Sequence, residues 1–180
     1  RNSLTVILLP LSLYVHIPWC IKKCPYCDFN SHAIKDDLPE HHYIDALLND
    51  LALDLNRYQI TRPISSIFIG GGTPSLFAAQ SYAQLLQDIH AITPIARNAE
   101  ITLEANPGTF EFQKFKGFRA AGINRLSIGV QSFNPQQLQA LGRVHDRDEA
   151  IRAIGAARDV GFEKLNIDLM HGLPQQKLQD

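Results

Sequence analysis

A seven-residue pattern that occurs twice sets the strictest limit on how this chain folds. Gly122-Ile123-Asn124-Arg125-Leu126-Ser127-Ile128 and Gly161-Phe162-Glu163-Lys164-Leu165-Asn166-Ile167 share the order glycine, apolar, polar, basic, Leu, polar, Ile. Both copies follow an amphipathic stretch of helical period, so the repeated unit is helix, glycine, strand. Strands that are each reached through a helix make successive βα units and a parallel sheet.

The rest of the chain keeps this rhythm. Short apolar runs predict strands at Leu11–Ile17, Ile64–Ile69, Glu100–Glu104, Arg125–Val130 and Lys164–Met170. Between them, Ile44, Leu47, Leu48, Leu51 and Leu55 form one apolar stripe of helical period, and Tyr82, Leu85, Leu86 and Ile89 another. Gly122, Gly142 and Gly161 stand where helices need a left-handed cap. Asn134-Pro135 with Gln137 reads as an N-cap, a first-turn proline and a capping-box partner. Five such units fall short of a closed barrel, which takes about 250 residues, so the expected fold is α/β, a partial TIM barrel.

At 180 residues the chain is expected to be one domain. Residues 1–10 read as an N-terminal extension and 11–180 as a core incomplete at its C-terminal end, because the chain begins with Arg1 and a new segment starts just before Gln179-Asp180. Hydrophobic residues make up 45% and charged residues 19%, the range of a soluble globular protein. A net charge of −1 without a basic block argues against nucleic acid as the main partner. The apolar run Leu4–Leu13 lacks a small-residue cleavage pattern and is shorter than the roughly 20 residues a bilayer span needs. It reads as a strand of a cytoplasmic protein.

All three cysteines fall in Cys20-Ile21-Lys22-Lys23-Cys24-Pro25-Tyr26-Cys27, just after the first strand. An odd number this close together makes a poor disulfide framework and fits metal or cluster ligation in a reducing compartment. Thiolates suit iron–sulfur clusters or zinc. C-x3-C-x2-C holds three corners of a cubane and leaves the fourth iron open to a small molecule, while Lys22 and Lys23 offset the charge. Structural zinc with His16 or His32 as fourth ligand is the alternative, although zinc sites favour separated cysteine pairs.

Ligands of parallel βα folds bind at the carboxyl ends of the strands. The second strand ends in Gly70-Gly71-Gly72-Thr73-Pro74, which lets backbone approach a ligand. The third ends at Glu104, before Asn106-Pro107-Gly108, where a carboxylate can accept from ribose hydroxyls. The fourth ends in Gly129-Val130-Gln131-Ser132. The fifth holds Asp168 inside an apolar run, where an acid needs a partner or water, and Arg143 is its expected partner or a ligand contact.

Together, Tyr14-Val15-His16-Ile17-Pro18-Trp19-Cys20, the cysteine loop, the glycine turn, Glu104-Ala105-Asn106-Pro107, Gly129-Val130-Gln131-Ser132-Phe133 and Asn166-Ile167-Asp168-Leu169-Met170-His171-Gly172-Leu173-Pro174 resemble one family. It is the radical S-adenosylmethionine (SAM) family, in the group that holds oxygen-independent coproporphyrinogen III oxidase and heme chaperones. The resemblance runs from about Leu11 to the end. It implies a six-unit (βα) part-barrel, of which this chain carries about five. It further implies a [4Fe–4S] cluster on Cys20, Cys24 and Cys27, with SAM's amine and carboxylate on the fourth iron. By position, Tyr14, Gly71 and Glu104 match residues that contact this SAM. Tyr26, Gly72, Thr73, Gln131, Arg143 and Asp168 match positions around a second SAM in the oxidase branch.

The oxidase branch carries a cysteine two residues after the third ligand; this chain carries Phe29, in the Asp-Phe-Asn-Ser-His pattern of the chaperone branch. The implied function is therefore to bind heme and pass it to acceptor proteins. The implied ligands are SAM and heme or porphyrin, the implied partners heme-acceptor proteins and a second copy in a homodimer. The competing readings are coproporphyrinogen oxidation in porphyrin biosynthesis and a non-enzymatic zinc module, so the residues leave enzyme activity itself open. The heme-binding H-N-x-x-Y-W motif of the chaperones' C-terminal region does not occur in these 180 residues. His16, His32 and His171 are heme-ligand candidates by residue type only, against the reading as ordinary hydrogen-bonded histidines.

Overall fold

A computed structural model describes residues 9–35, 37–108 and 113–177. Most of the expected N-terminal extension, residues 1–8, lies outside the described residues.

The main sheet consists of β1 (Leu11–Ile17), β4 (Ile64–Gly71), β5 (Ile95–Ala105), β6 (Arg125–Gln131) and β7 (Lys164–Leu169), all parallel in the order β1-β4-β5-β6-β7. A two-stranded parallel pair, β2 (Trp19–Cys20) and β3 (His32–Ala33), clasps the cysteine loop. The crossover helices are α1 (Glu40–Arg57), α2 (Ala79–Ile92), α3 (Phe115–Ala120), and the consecutive α4 (Pro135–Ala140) and α5 (Arg147–Asp159). Each new strand is added on the same side of the last, the winding of a barrel and not of a sheet that reverses direction midway. The part-barrel expected from the repeat is the fold observed.

Strand side chains alternate between faces. Val15, Ile17, Ile67, Ile69, Leu103, Leu126, Ile128 and Val130 are buried against the helices, with Tyr82, Leu85, Ile89, Phe115 and Phe118 opposite them. The other face carries Ser12, Tyr14, His16, Thr102, Glu104, Ser127 and Asp168 in the intervening positions. Ser12 Oγ lies 2.8 Å from Ser66 Oγ across β1 and β4. The apolar layer drives folding, and the polar face is left as the lining of the open barrel.

Helix ends follow the local chemistry in two different ways. Asn134 caps α4 as expected, its Oδ1 accepting the Gln136 and Gln137 N–H groups at 2.9 and 3.3 Å. Its expected capping-box partner does something else: Gln137 Oε1 accepts from Ser132 Oγ at 2.8 Å, and the Asn134 N–H donates to Ser132 Oγ. A buried serine in the preceding turn outcompetes the reciprocal bond. The complete box forms at α5, between Asp146 and Glu149. Gly122, Gly142 and Gly161 have φ of 106°, 66° and 90°, the left-handed caps the helix ends require.

Candidate cofactor site

Parallel strands put all their carboxyl ends on one edge, and one cleft opens there. Cys20, Cys24, Cys27, Tyr26, Gly71, Gly72, Thr73, Glu104, Gln131, Arg143 and Asp168 all line it. Tyr14 stands apart. It is 57% exposed, and its hydroxyl lies 2.8 Å from His16 Nδ1 on the same face of β1.

The cysteine loop is held at its base. The Ile34 N–H donates to Cys20 O at 2.9 Å and the His32 N–H to Pro18 O at 2.7 Å. The Thr73 N–H donates to Trp19 O at 2.7 Å, which joins the loop to the glycine turn. His16 Nε2 donates to Asn30 O at 2.8 Å, so the ring carries its proton there and accepts the Tyr14 hydroxyl at Nδ1. His32 and His171 are exposed.

Space, not only ligand approach, explains the three glycines. A Cβ at Gly70 would come within 2.9 Å of Glu104 Oε2, and one at Gly71 within 2.8 Å of the His16 ring. At Gly72 it would meet Trp19 O at 2.5 Å and Cys20 Sγ at 2.9 Å. Backbone at that distance has no rotamer to give way. Gly72→Ala is therefore expected to lower stability by about 1–3 kcal/mol and to displace Cys20. Denaturant unfolding, run beside iron and sulfide analysis of the reconstituted protein, checks both; unchanged stability and cluster content would show that the turn relaxes freely.

Glu104 accepts the Gly71 N–H at 3.1 Å. Burial raises its pKa first and the Asp168 carboxylate adds to this, against the Gly71 N–H and His16. Asp168 accepts from Asn166 Nδ2 at 2.7 Å and Ser127 Oγ at 3.4 Å. It thus finds partners on its own face of the sheet, and the expected pairing with Arg143 is not made among the described residues. Arg143 turns instead to Gly129 O at 2.6 Å and Asn106 Oδ1 at 2.8 Å, while Asn106 Nδ2 donates to Thr73 Oγ1 at 3.2 Å. Asn106, Ser127 and Asn166 escaped the sequence reading as site residues, because a neutral amide or hydroxyl shows its role only once its neighbours are known.

β6 carries a register shift between Gly129 and Gln131, and Gln131 has φ of 69°. A non-glycine residue in that region is sparsely populated and needs support from its surroundings. His145 supplies it by donating from Nε2 to Val130 O at 3.1 Å. His145 is 4% exposed, and its Nδ1 is buried without a partner among the described residues. Burial, with Arg143 second, lowers its pKa from 6.5 to about 4. The unfolded chain takes up this proton first as pH falls. Stability is therefore expected to drop between pH 6.5 and about 4, by roughly 3 kcal/mol from this group. Above that window the group contributes no slope. Urea unfolding across this range tests it, and His145→Gln is expected to remove this part of the slope.

The donor set fits a [4Fe–4S] cluster with SAM. Three free thiols share one loop, Cys20 buried and the others half-buried. No three His, Cys, Asp or Glu side chains among the described residues are close enough to share a single metal ion. A cubane spreads its thiolates over separate iron corners and does not ask them to converge. Of the two histidines the zinc alternative draws on, His16 has both ring nitrogens engaged and His32 is exposed. Beside the thiols, Glu104 and Asp168 offer acceptors to an amine or hydroxyls.

Fold and site together define a radical SAM protein: residues 14–180 match the Radical SAM superfamily model, and the chain belongs to that superfamily. Membership implies SAM and a [4Fe–4S] cluster. The chain is 57% identical over 176 residues to the heme chaperone HemW of Haemophilus influenzae, and 53% over 173 residues to that of Escherichia coli. Each match covers 96% of this chain and 46% of the relative, so the chain spans about half the length of these curated relatives. The structure of coproporphyrinogen III oxidase (HemN) from Escherichia coli, a radical SAM enzyme, is similar with a TM-score of 0.81 and 35% identity, over 93% of this chain and 38% of that one. No helix among the described residues is long and apolar enough to cross a membrane.

Proposed function

We propose that this chain is the cluster- and SAM-binding core of a heme chaperone, with Cys20, Cys24 and Cys27 as the cluster ligands. When bound, the cluster supplies an iron corner that chelates SAM and an electron store. The chain's own residues hold the rest. Tyr14, Gly71 and Glu104 serve the cluster-bound SAM, with the Tyr14 hydroxyl held by His16. Tyr26, Gly72, Thr73, Gln131, Arg143 and Asp168 line the remainder of the cleft.

The observation that carries the choice of chaperone over oxidase is Phe29. It lines the same cleft and is 64% exposed, at the position where the oxidase branch places a thiol. Similarity to the HemW proteins supports the same choice. Heme is then the cargo, acceptor proteins are its destination, and the cytoplasm and a homodimer are the setting. The test is anaerobic reconstitution of the full-length protein, then heme titration with and without SAM, and an assay on coproporphyrinogen III. Heme binding without consumption of coproporphyrinogen III is the expected result. Efficient anaerobic turnover of that substrate would transfer the protein to the oxidase reading.

A further inference from the structure

Arg143 sits in the turn between α4 and α5, and its guanidinium is pinned. Nη2 donates to Gly129 O and Asn106 Oδ1 at 2.6 and 2.8 Å, and Nη1 to the Tyr26 hydroxyl at 3.4 Å. Every one of these acceptors is neutral. Among the described residues, Nε is buried with no partner and no carboxylate forms an ion pair with the group. A cation held in a half-buried cleft without a countercharge is costly unless an anion is supplied. The same Nη1 lies 3.6 Å from Cys24 Sγ. A sulfur that is neutral as a thiol becomes that anion once it ligates iron.

We propose that Arg143 tunes the reduction potential of the cluster through its hydrogen bond to the Cys24 sulfur. The inference rests on the reading of Cys24 as a cluster ligand. Adding one electron makes the cluster and its thiolates more negative. A fixed cation and an N–H···S bond stabilise the reduced form more than the oxidised one, and so raise the potential. Gly129 and Asn106 hold the guanidinium in place, so no reorganisation is needed when the electron arrives.

The test uses the full-length protein, reconstituted without oxygen and kept free of SAM, so that contacts with that ligand do not enter. Each sample is titrated with dithionite, which donates one electron per cluster, and the reduced cluster is followed by electron paramagnetic resonance. Iron and sulfide are assayed throughout. Arg143→Met and Arg143→Gln are expected to lower the reduction equilibrium about tenfold, or ~59 mV for one electron. Arg143→Lys keeps the charge and is expected to return the potential toward that of wild type. Wild-type potentials in cluster-replete Met and Gln variants overturn the proposal. So does a Lys variant as low as Met, which points to a rearranged turn. If both neutral variants lose the cluster, Arg143 is a retention clamp and the tuning role fails. Wild-type protein without iron and sulfide sinks the cluster reading itself, which is a separate result.

Discussion

Replacing Cys20, Cys24 or Cys27 by serine, one at a time, is expected to cut iron and acid-labile sulfide in the reconstituted full-length protein to about a tenth of wild type or less. On the proposed assignment each thiol would serve its own iron corner, so none would substitute for another. Serine keeps the size but replaces a soft thiolate with a hard, weakly acidic hydroxyl. Far-ultraviolet circular dichroism separates ligand loss from unfolding. Cys24 and Cys27 lie in the half-exposed loop, and their serine variants are expected to keep the helical signal. Cys20 is 8% exposed beside Gly72, so its variant also tests packing. Three variants that all retain full iron and sulfide would remove the cluster from these residues.

Tyr82→Ala is expected to lower stability by about 3–5 kcal/mol, the range for emptying a buried aromatic site. Tyr82 is fully buried on α2, with ring centroids 6.1 Å from Phe77 and 5.9 Å from Phe118. Its hydroxyl donates to Pro74 O at 2.6 Å, which ties the helix layer to the turn after the three glycines. Lys114 Nζ holds the same turn from the other side, through Ser75 O and Leu76 O at 3.0 and 2.7 Å. Tyr82→Phe keeps the packing and loses one hydrogen bond, for about 1 kcal/mol. Guanidinium unfolding measures both. A Tyr82→Ala cost below about 1 kcal/mol, the size of an ordinary surface substitution, would contradict the core described above.

Much of the architecture was legible in the residues. The strand spans Leu11–Ile17 as expected, its alternation ending just before Pro18. The stripe Tyr82, Leu85, Leu86 and Ile89 is buried throughout, as a helical period demands. β5 starts at Ile95, five residues before the expected Glu100, because pairing with β4 carries the strand past a register shift that local hydrophobicity does not reveal. β2 and β3 were missed for a related reason. Two-residue strands have no periodicity, and they exist only because the cysteine loop returns to its own base.

The residues that line the cleft were readable as types at strand ends, since parallel strands deliver their carboxyl ends to one edge whatever the side chains are. Sequence alone therefore determined the βα order, the apolar layer and the clustering of three thiols, all of which depend on spacing along the chain. Only the tertiary structure decided that Tyr14 bonds His16 outside the cleft, that Asp168 is satisfied by Ser127 and Asn166, and that Arg143 reaches Cys24. Those contacts join residues up to 119 positions apart. Hydrogen bonds and charges act over a few ångströms through space, and that distance is written in the fold.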